Sequence, residues 1–449
     1  MSFRIVIIGA GEVGFNLAKT LSNENCDMTI IDVDEKKCQR INNSIDAHVV
    51  CGDGASQRVL EKLDMSNVDY LLALSRIDEV NLVASKSSFE LGAKKIICRL
   101  RNTEYSHRNA FITPEQFGID HVVYPEKSAQ KEIEKLIKKP SAVDLEEFSD
   151  GQVTMVGLSI DSSSPLIGRN VSSIEDSNPY IQHKLVLTIR EGEGLIPTSN
   201  TVYEADDLSY FIGKTDDIQK IQRMAGKSAF KVKNIMILGA GKIGRLLAKS
   251  LESDFDVRII ENDHEKAKKI GENLTDTLIL DADGLDIDFL TSENIQDVDC
   301  FIAATENEQT NILASLLVKH YGVKQIILHI TTTNYIRAVR RIGIDAVISK
   351  NISAVHDIIN FIKSDQEDIP VSKIEDVDID ALEIIVSPNS KYIDKNYSFT
   401  SIPDYIKVGA VIREGKVIIP SQHTEIFIND KLILFVKDSL ISKAEELFL

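Results

Sequence analysis

The chain has 449 residues, 27% of them charged and 43% hydrophobic, with a formal net charge of −18. That length holds about two to four domains with sizeable cores. The acidity argues against a nucleic-acid partner or a general anionic-membrane binder, either of which needs a basic face, and no apolar run approaches the ~18 residues that cross a bilayer.

The chain enters an apolar run directly after Met1-Ser2-Phe3-Arg4, which leaves no room for a signal peptide, so a cytosolic location is expected. Ile5 to Ile8 read as a strand, followed by Gly9-Ala10-Gly11-Glu12-Val13-Gly14, a helical pattern, and a second strand ending at Asp32. This is the grammar of a nucleotide cradle. Gly9 permits the tight turn, Gly11 lets the backbone approach a phosphate, and Gly14 lets the helix pack close to the strand. Asp32, about 20 residues on, is placed to accept from a ribose 2′-hydroxyl and to repel a 2′-phosphate, which makes NADP the least suitable nicotinamide nucleotide.

A third strand, Ala47 to Val50, leads to Cys51-Gly52-Asp53-Gly54; Asp53 either binds a ribose or adenine edge or caps the next helix. The fourth strand, Tyr70 to Leu74, ends at Ser75, which lines the pocket or caps the long helix that carries Asn81. In the fifth, Ile96 to Arg101, alternation sets Arg99 and Arg101 on one face, as a phosphate clamp or as solvated edge residues. Gly118 to Pro125 reads as a sixth strand and Ser128 to Lys139 as a helix, so residues 1–140 form an α/β domain with a parallel sheet. Residues 141–226 change to short strands, Gln152–Ile160, Leu185–Arg190 and Leu208–Gly213, with turns at Ser164-Pro165 and Glu191 to Gly194.

The cradle then returns, 230 residues on (Gly9 to Gly239), as Gly239-Ala240-Gly241-Lys242-Ile243-Gly244. Glu261 replaces Asp32, Asp283 answers Asp53, Thr305 answers Ser75 and Asn311 answers Asn81. The small domain returns too: Val186 to Gly213, with Arg190-Glu191-Gly192 and Pro197, matches Val411 to Val436, with Arg413-Glu414-Gly415 and Pro420. The expected fold is therefore a duplicated Rossmann-like parallel-sheet nucleotide-binding domain, each copy followed by a small β-rich α+β domain, over 1–140, 141–226, 232–365 and 366–449. The copies are unequal, with His329 and Thr331 standing for Arg99 and Arg101, and Ser349-Lys350 for Tyr124-Pro125. If the arginines hold phosphate, the second site is weaker or prefers another nucleotide.

Cys26, Cys38, Cys51, Cys98 and Cys300 form no CxxC and no Cys/His array at ligand spacing, so they read as reduced and mostly structural, with no metal expected. A dehydrogenase, the rival from another class, needs a placed acid or base, and the small domains offer only scattered histidines such as His183 and His423, which read as surface residues.

Across essentially its whole length the sequence resembles the TrkA family, cytosolic regulatory subunits of bacterial Trk potassium-uptake systems. The resemblance rests on Ile8 to Gly14, Gly52-Asp53-Gly54, Cys98-Arg99-Leu100-Arg101-Asn102, Asp144-Leu145-Glu146-Glu147-Phe148, Ser164-Pro165-Leu166-Ile167-Gly168, Glu204-Ala205-Asp206-Asp207 and the tandem order. It implies RCK (KTN) domains, each followed by a TrkA-C domain, that bind NAD(H) or, alternatively, ATP and ADP. It further implies no catalysis, a homotetramer, and docking on a TrkH/TrkG-like membrane potassium transporter subunit, which would place the chain peripherally on the inner face of the membrane. Carried over, the first pocket uses Gly9, Gly11, Gly14, Asp32, Asp53, Ser75 and Arg99, and the second Gly239, Gly241, Gly244, Glu261, Asp283 and Thr305. A free-standing nucleotide sensor without a membrane partner would use the same residues.

Overall fold

The computed structural model describes every residue except 1–2, 23–25, 108, 141, 178–179, 228–229, 333–334, 343, 366–370, 374–376, 394–400 and 422. The expected starts of the two small domains, at 141 and 366, lie outside the described residues.

Six strands, β1 (Phe3–Ile8), β2 (Cys26–Asp32), β3 (His48–Cys51), β4 (Tyr70–Ala73), β5 (Lys95–Arg99) and β6 (His121–Val123), form one sheet in the order β3-β2-β1-β4-β5-β6. Every pairing is parallel. Intervening helices, among them Glu12–Leu21, Glu35–Asn42 and Asp78–Glu90, return the chain to the same end of the sheet each time. Ile5, Val6, Ile7 and Ile8 are all buried, as a central strand covered on both faces requires.

An antiparallel sheet follows, built from β7 (Asp144–Phe148), β8 (Val153–Ser159), β9 (His183–Arg190), β10 (Glu193–Leu195) and β11 (Leu208–Lys214) in the order β10-β9-β11-β8-β7. Both architectures then repeat. Strands β12 (Asn234–Leu238), β13 (Asp256–Glu261), β14 (Leu278–Asp281), β15 (Cys300–Ala303), β16 (Gln325–Ile330) and β17 (Ala346–Ser349) take the order β14-β13-β12-β15-β16-β17. Strands β18 (Val371–Lys373), β19 (Ile379–Ile385), β20 (Ile406–Arg413), β21 (Lys416–Ile418) and β22 (Lys431–Lys437) take the order β18-β19-β22-β20-β21, the topology of the first small sheet. Even the irregularity is copied: one extra residue bulges β9 against Tyr210/Phe211 and β20 between Val408 and Ala410.

By contacts the chain divides into two compact units, Met1–Glu132 with Ile348–Glu367, and Ile133–Val347 with Asp368–Leu449. The Lys350–Asp365 helix, which follows the second parallel sheet in sequence, thus belongs with the first. There Asp357 accepts from Ser128 Oγ at 2.8 Å and pairs with His121 Nε2 at 3.3 Å, while Glu132 takes His356 Nδ1 at 2.9 Å. In the other unit both small sheets share one apolar cluster that includes Phe148, Tyr210, Ile379 and Phe435.

Several boundaries differ from the sequence reading. The fifth strand stops at Arg99 because Asp78 captures the backbone N–H of Arg101 at 3.0 Å and of Asn102 at 2.8 Å, so Arg99 and Arg101 do not share a strand face. Glu308 does the same to Thr331 at 2.6 Å, so β16 ends one residue short of it. The helix expected from Ser128 begins at Pro125, where the missing N–H costs nothing. The turn expected over Glu191 to Gly194 is confined to Glu191 and Gly192, both at positive φ, and Glu193–Leu195 forms β10. His183, expected at the surface, is 3% exposed with Nδ1 against the Ile181 carbonyl; burial pushes its pKa down. His423 is exposed.

Each small sheet is pinned by one buried carboxylate. Asp207, 1% exposed, receives Arg190 Nε and Nη2 at 2.8 Å each and the Glu204 N–H at 3.0 Å. Asp430 repeats this with Arg413, both bonds 2.8 Å, and the Phe427 N–H. Removing the cation strands a buried charge. Arg190→Met should therefore lower stability by about 3 kcal/mol, read as a drop in the urea midpoint of the full chain; a loss under about 1 kcal/mol, the range of a surface pair, would show that the pair is dispensable.

Candidate nucleotide-binding sites

In the first parallel sheet the chain leaves β1 toward one side and β4 toward the other, so a crevice opens at their carboxyl ends. Gly9 makes the turn with φ +102°, and a Cβ there would lie 2.8 Å from Ser75 N. A Cβ on Gly14 would overlap the Gly9 carbonyl oxygen, so this position is reserved for packing the helix onto the loop. Gly11 is different: a Cβ would meet nothing within 4 Å. It is the N-cap of the Glu12–Leu21 helix and offers no side-chain cap, so the first-turn N–H groups face that open space. The second copy repeats each feature. Gly239 has φ +97° and abuts Thr305, Gly244 is closed by the Gly239 carbonyl, and the nearest atom to a Cβ on Gly241 is Ala304 O at 3.8 Å.

The acid at the end of the second strand is held by the loop itself. Asp32 is 8% exposed; Oδ2 accepts from Ala10 N at 2.7 Å, Oδ1 from Asp34 N at 2.9 Å, and Lys37 Nζ stands 3.6 Å from Oδ2. Glu261 takes Ala240 N at 3.0 Å, Asp263 N at 3.2 Å and Lys266 Nζ at 2.9 Å. Burial pushes the Glu261 carboxyl up, but the Lys266 ammonium and the two amides outweigh it and hold it below the usual range. Each carboxylate has further lone pairs for a ribose hydroxyl. Lys37 and Lys266 were not singled out in the sequence; a lysine five residues after each acid was the signal.

Ser75 and Thr305 lie at the crevice, half-buried, with their hydroxyls turned to the local backbone at Ile77 and Asn307. Asn81, fully buried, bridges Ser75 N and O to Arg99 O at 2.8–3.0 Å, and Asn311 bridges Thr305 to His329 O in the same way. These asparagines fix the β4–β5 and β15–β16 ends. Asp53 and Asp283 are exposed and close turns onto Ala55 N and Leu285 N, both at 2.9 Å. Glu12 points away to Arg40, at 3.3 Å; Val13 and Ile243 are buried and Lys242 is exposed. Ala10 and Ala240 are buried with only their N–H groups engaged by the acids.

Arg99 is half-buried at the end of β5, and its Nε has no hydrogen-bond partner. Burial pushes its guanidinium pKa down, against the opposing pull of Glu126. A buried, unpartnered guanidinium donor at the carboxyl edge of the same parallel sheet as the open cradle fits a phosphate. His329, its counterpart, is 5% exposed. The residues present thus fit a nucleotide in both copies, and the strand-end arginine is found in the first alone of the two.

A second concavity, about 750 Å³, lies in the other unit, lined by Gln152, Lys214, Thr215, Arg413, Lys416 and Ile418; Arg413 is already committed to Asp430. Among the described residues no group of three or more His, Cys, Asp or Glu is placed to hold a metal, and no helix is long and apolar enough to cross a membrane.

The geometry separates the roles of two glycines. Gly14→Ala should destabilise the first unit by about 2 kcal/mol or more through overpacking, whereas Gly11→Ala should change its melting by less than about 0.5 kcal/mol. Equal losses in thermal melts of the two variants would refute the open position at Gly11.

Comparison with known proteins agrees with this duplicated plan. The TrkA-N domain family matches twice, at residues 5–125 and 235–350. The Trk system potassium uptake protein TrkA of Vibrio alginolyticus is 29% identical, over 99% of this chain and 98% of its own length. TrkA homolog 1 of Methanosarcina mazei is 30% identical over 99% and 100%. Among solved structures, the GsuK RCK domain and the GsuK channel bound to NAD each align with a TM-score of 0.57 at 16% identity, covering 100% of this chain and 95% and 79% of theirs, a likeness of fold. The chain belongs to the TrkA family, with two TrkA-N domains in tandem.

Proposed function

We propose that the chain is a non-catalytic regulatory subunit of a Trk-type potassium-uptake system whose two crevices bind nucleotide. The observation that carries this reading is the open helix N-terminus at Gly11 and again at Gly241, each beside a carboxylate clamped to its loop, in a chain that aligns end to end with Trk system potassium uptake proteins. The sites are Gly9 to Gly14 with Asp32, Asp53, Ser75 and Arg99, and Gly239 to Gly244 with Glu261, Asp283 and Thr305. NAD(H) is the expected ligand and ATP or ADP the alternative at the same sites, since both acids favour a free 2′-hydroxyl.

The subunit assembles as a homotetramer on the inner face of the membrane and docks on a TrkH/TrkG-like transporter subunit. Residues 1–140 and 232–365 are the nucleotide domains, and 141–226 and 366–449 the small domains. A nucleotide shifts such an assembly only by binding its two states unequally. Phosphates at the helix start and at Arg99 supply contacts that a domain movement would alter.

Calorimetric titration of the full chain with NADH, NAD, ATP and ADP tests the reading. The native chain should show two unequal phases. Gly11→Asp and Gly241→Asp, which put a carboxylate where phosphate sits, should each weaken one phase by tenfold or more (above ~1.4 kcal/mol) and spare the other. Absence of binding by all four would sink the nucleotide switch, and binding without any change in potassium flux through a reconstituted transporter would favour the free-standing sensor.

A further inference from the structure

The crevice of the first copy carries a feature that the second lacks. Cys38, on the Glu35–Asn42 helix, and Cys51, the last residue of β3, converge on the backbone of Asp32. Cys38 Sγ donates to the Asp32 carbonyl at 3.3 Å, and Gly52 N donates to the same oxygen at 2.9 Å. Cys51 is the register partner of Asp32 across the β2–β3 pairing. Both cysteines are thereby placed at the Asp32 end of β2, near enough for the Cys51 thiol to act on Cys38. Cys38 is buried and Cys51 exposed. Burial first, then the neighbouring Cys51 thiol, pushes Cys38 up to about 11, so it stays protonated while Cys51 meets solvent. At the corresponding positions the second copy has Ala267 and Asp281, and Asp281 instead pairs with His264.

We infer that Cys38 and Cys51 form a reversible intramolecular disulfide that makes the first crevice, and not the second, responsive to peroxide. The exposed Cys51 thiolate attacks one peroxide oxygen, giving Cys51 sulfenic acid and one water. Cys38 then loses its proton and attacks the Cys51 sulfur; the S–S bond forms, the S–O bond breaks and the hydroxyl departs as a second water. Two thiols are oxidised by two electrons and one peroxide is reduced. A small dithiol reverses the step by exchange. Bond formation takes the Cys38 S–H from the Asp32 carbonyl and draws the helix and the β3 end together, beside the carboxylate that holds Ala10. The effect on binding rests on the nucleotide reading above; the disulfide does not.

Treating the full chain with equimolar hydrogen peroxide should remove two of its five titratable thiols. Trypsin should then release residues 38–40 linked to residues 41–58, a pair that dithiothreitol separates. Cys51→Ser should keep all its remaining thiols, and Cys38→Ser should leave a Cys51 sulfenic acid that a 1,3-diketone traps. In calorimetry the first-site affinity for NADH should fall about three- to tenfold, as loss of a hydrogen bond predicts, with the second unchanged. Cys51 recovered only as sulfinic acid or as a disulfide between two chains would overturn the inference. A linked pair with unchanged first-site affinity would overturn the switch. Failure of the reduced chain to bind NADH, with the linked pair still forming, would instead count against the nucleotide reading.

Discussion

The hydrogen bond from the Ala10 amide to Asp32, 2.7 Å long and buried, is the contact on which each crevice is built, and Glu261 repeats it on Ala240 at 3.0 Å. One carboxylate, fixed at the end of the second strand, fastens the glycine loop to the sheet. With the loop fastened, Gly9 turns back against Ser75, Gly14 packs beneath the Gly9 carbonyl, and the helix start is left facing open space at Gly11. An anion is attracted there because the first-turn N–H groups have no partner within the helix and the helix dipole adds to them. The same carboxylate keeps lone pairs for a ribose. A single side chain therefore ties the fold of the loop to the chemistry of the pocket.

Duplication supplied two such crevices, and their differences bear on function. The second acid is one methylene longer and closer to its lysine, at 2.9 Å against 3.6 Å in the first. The first keeps Arg99, with an unpartnered Nε, where the second has buried His329. The first also has two cysteines converging on Asp32, where the second has an exposed His264–Asp281 pair. The two crevices thus share one plan and differ in charge.

The parallel sheets were legible because their signals are local: buried strands as unbroken apolar runs, a glycine spacing, and an acid at a fixed distance. What escaped depends on contacts distant in sequence. Asp144–Phe148 carries three acidic residues and does not look like a strand, yet it is tolerated at a sheet edge, where its outer face meets water. Arg101 continues an alternating pattern that ends only because Asp78, on another element, takes its N–H. The Arg190–Asp207 and Arg413–Asp430 pairs, the bridging roles of Asn81 and Asn311, and the meeting of Cys38 with Cys51 all join elements that sequence spacing does not relate. The grouping of the Lys350–Asp365 helix with the first parallel sheet is of the same kind.

Hydrogen exchange of the full chain, with and without NADH, tests the central claim most directly, because the first-turn amides at 11–13 and 241–243 lack partners within their helices and exchange quickly. NADH should slow exchange in these two segments by different amounts, with the larger protection in the first. Unchanged exchange in both segments, at a concentration where the chain binds NADH, would place the ligand elsewhere and contradict the account.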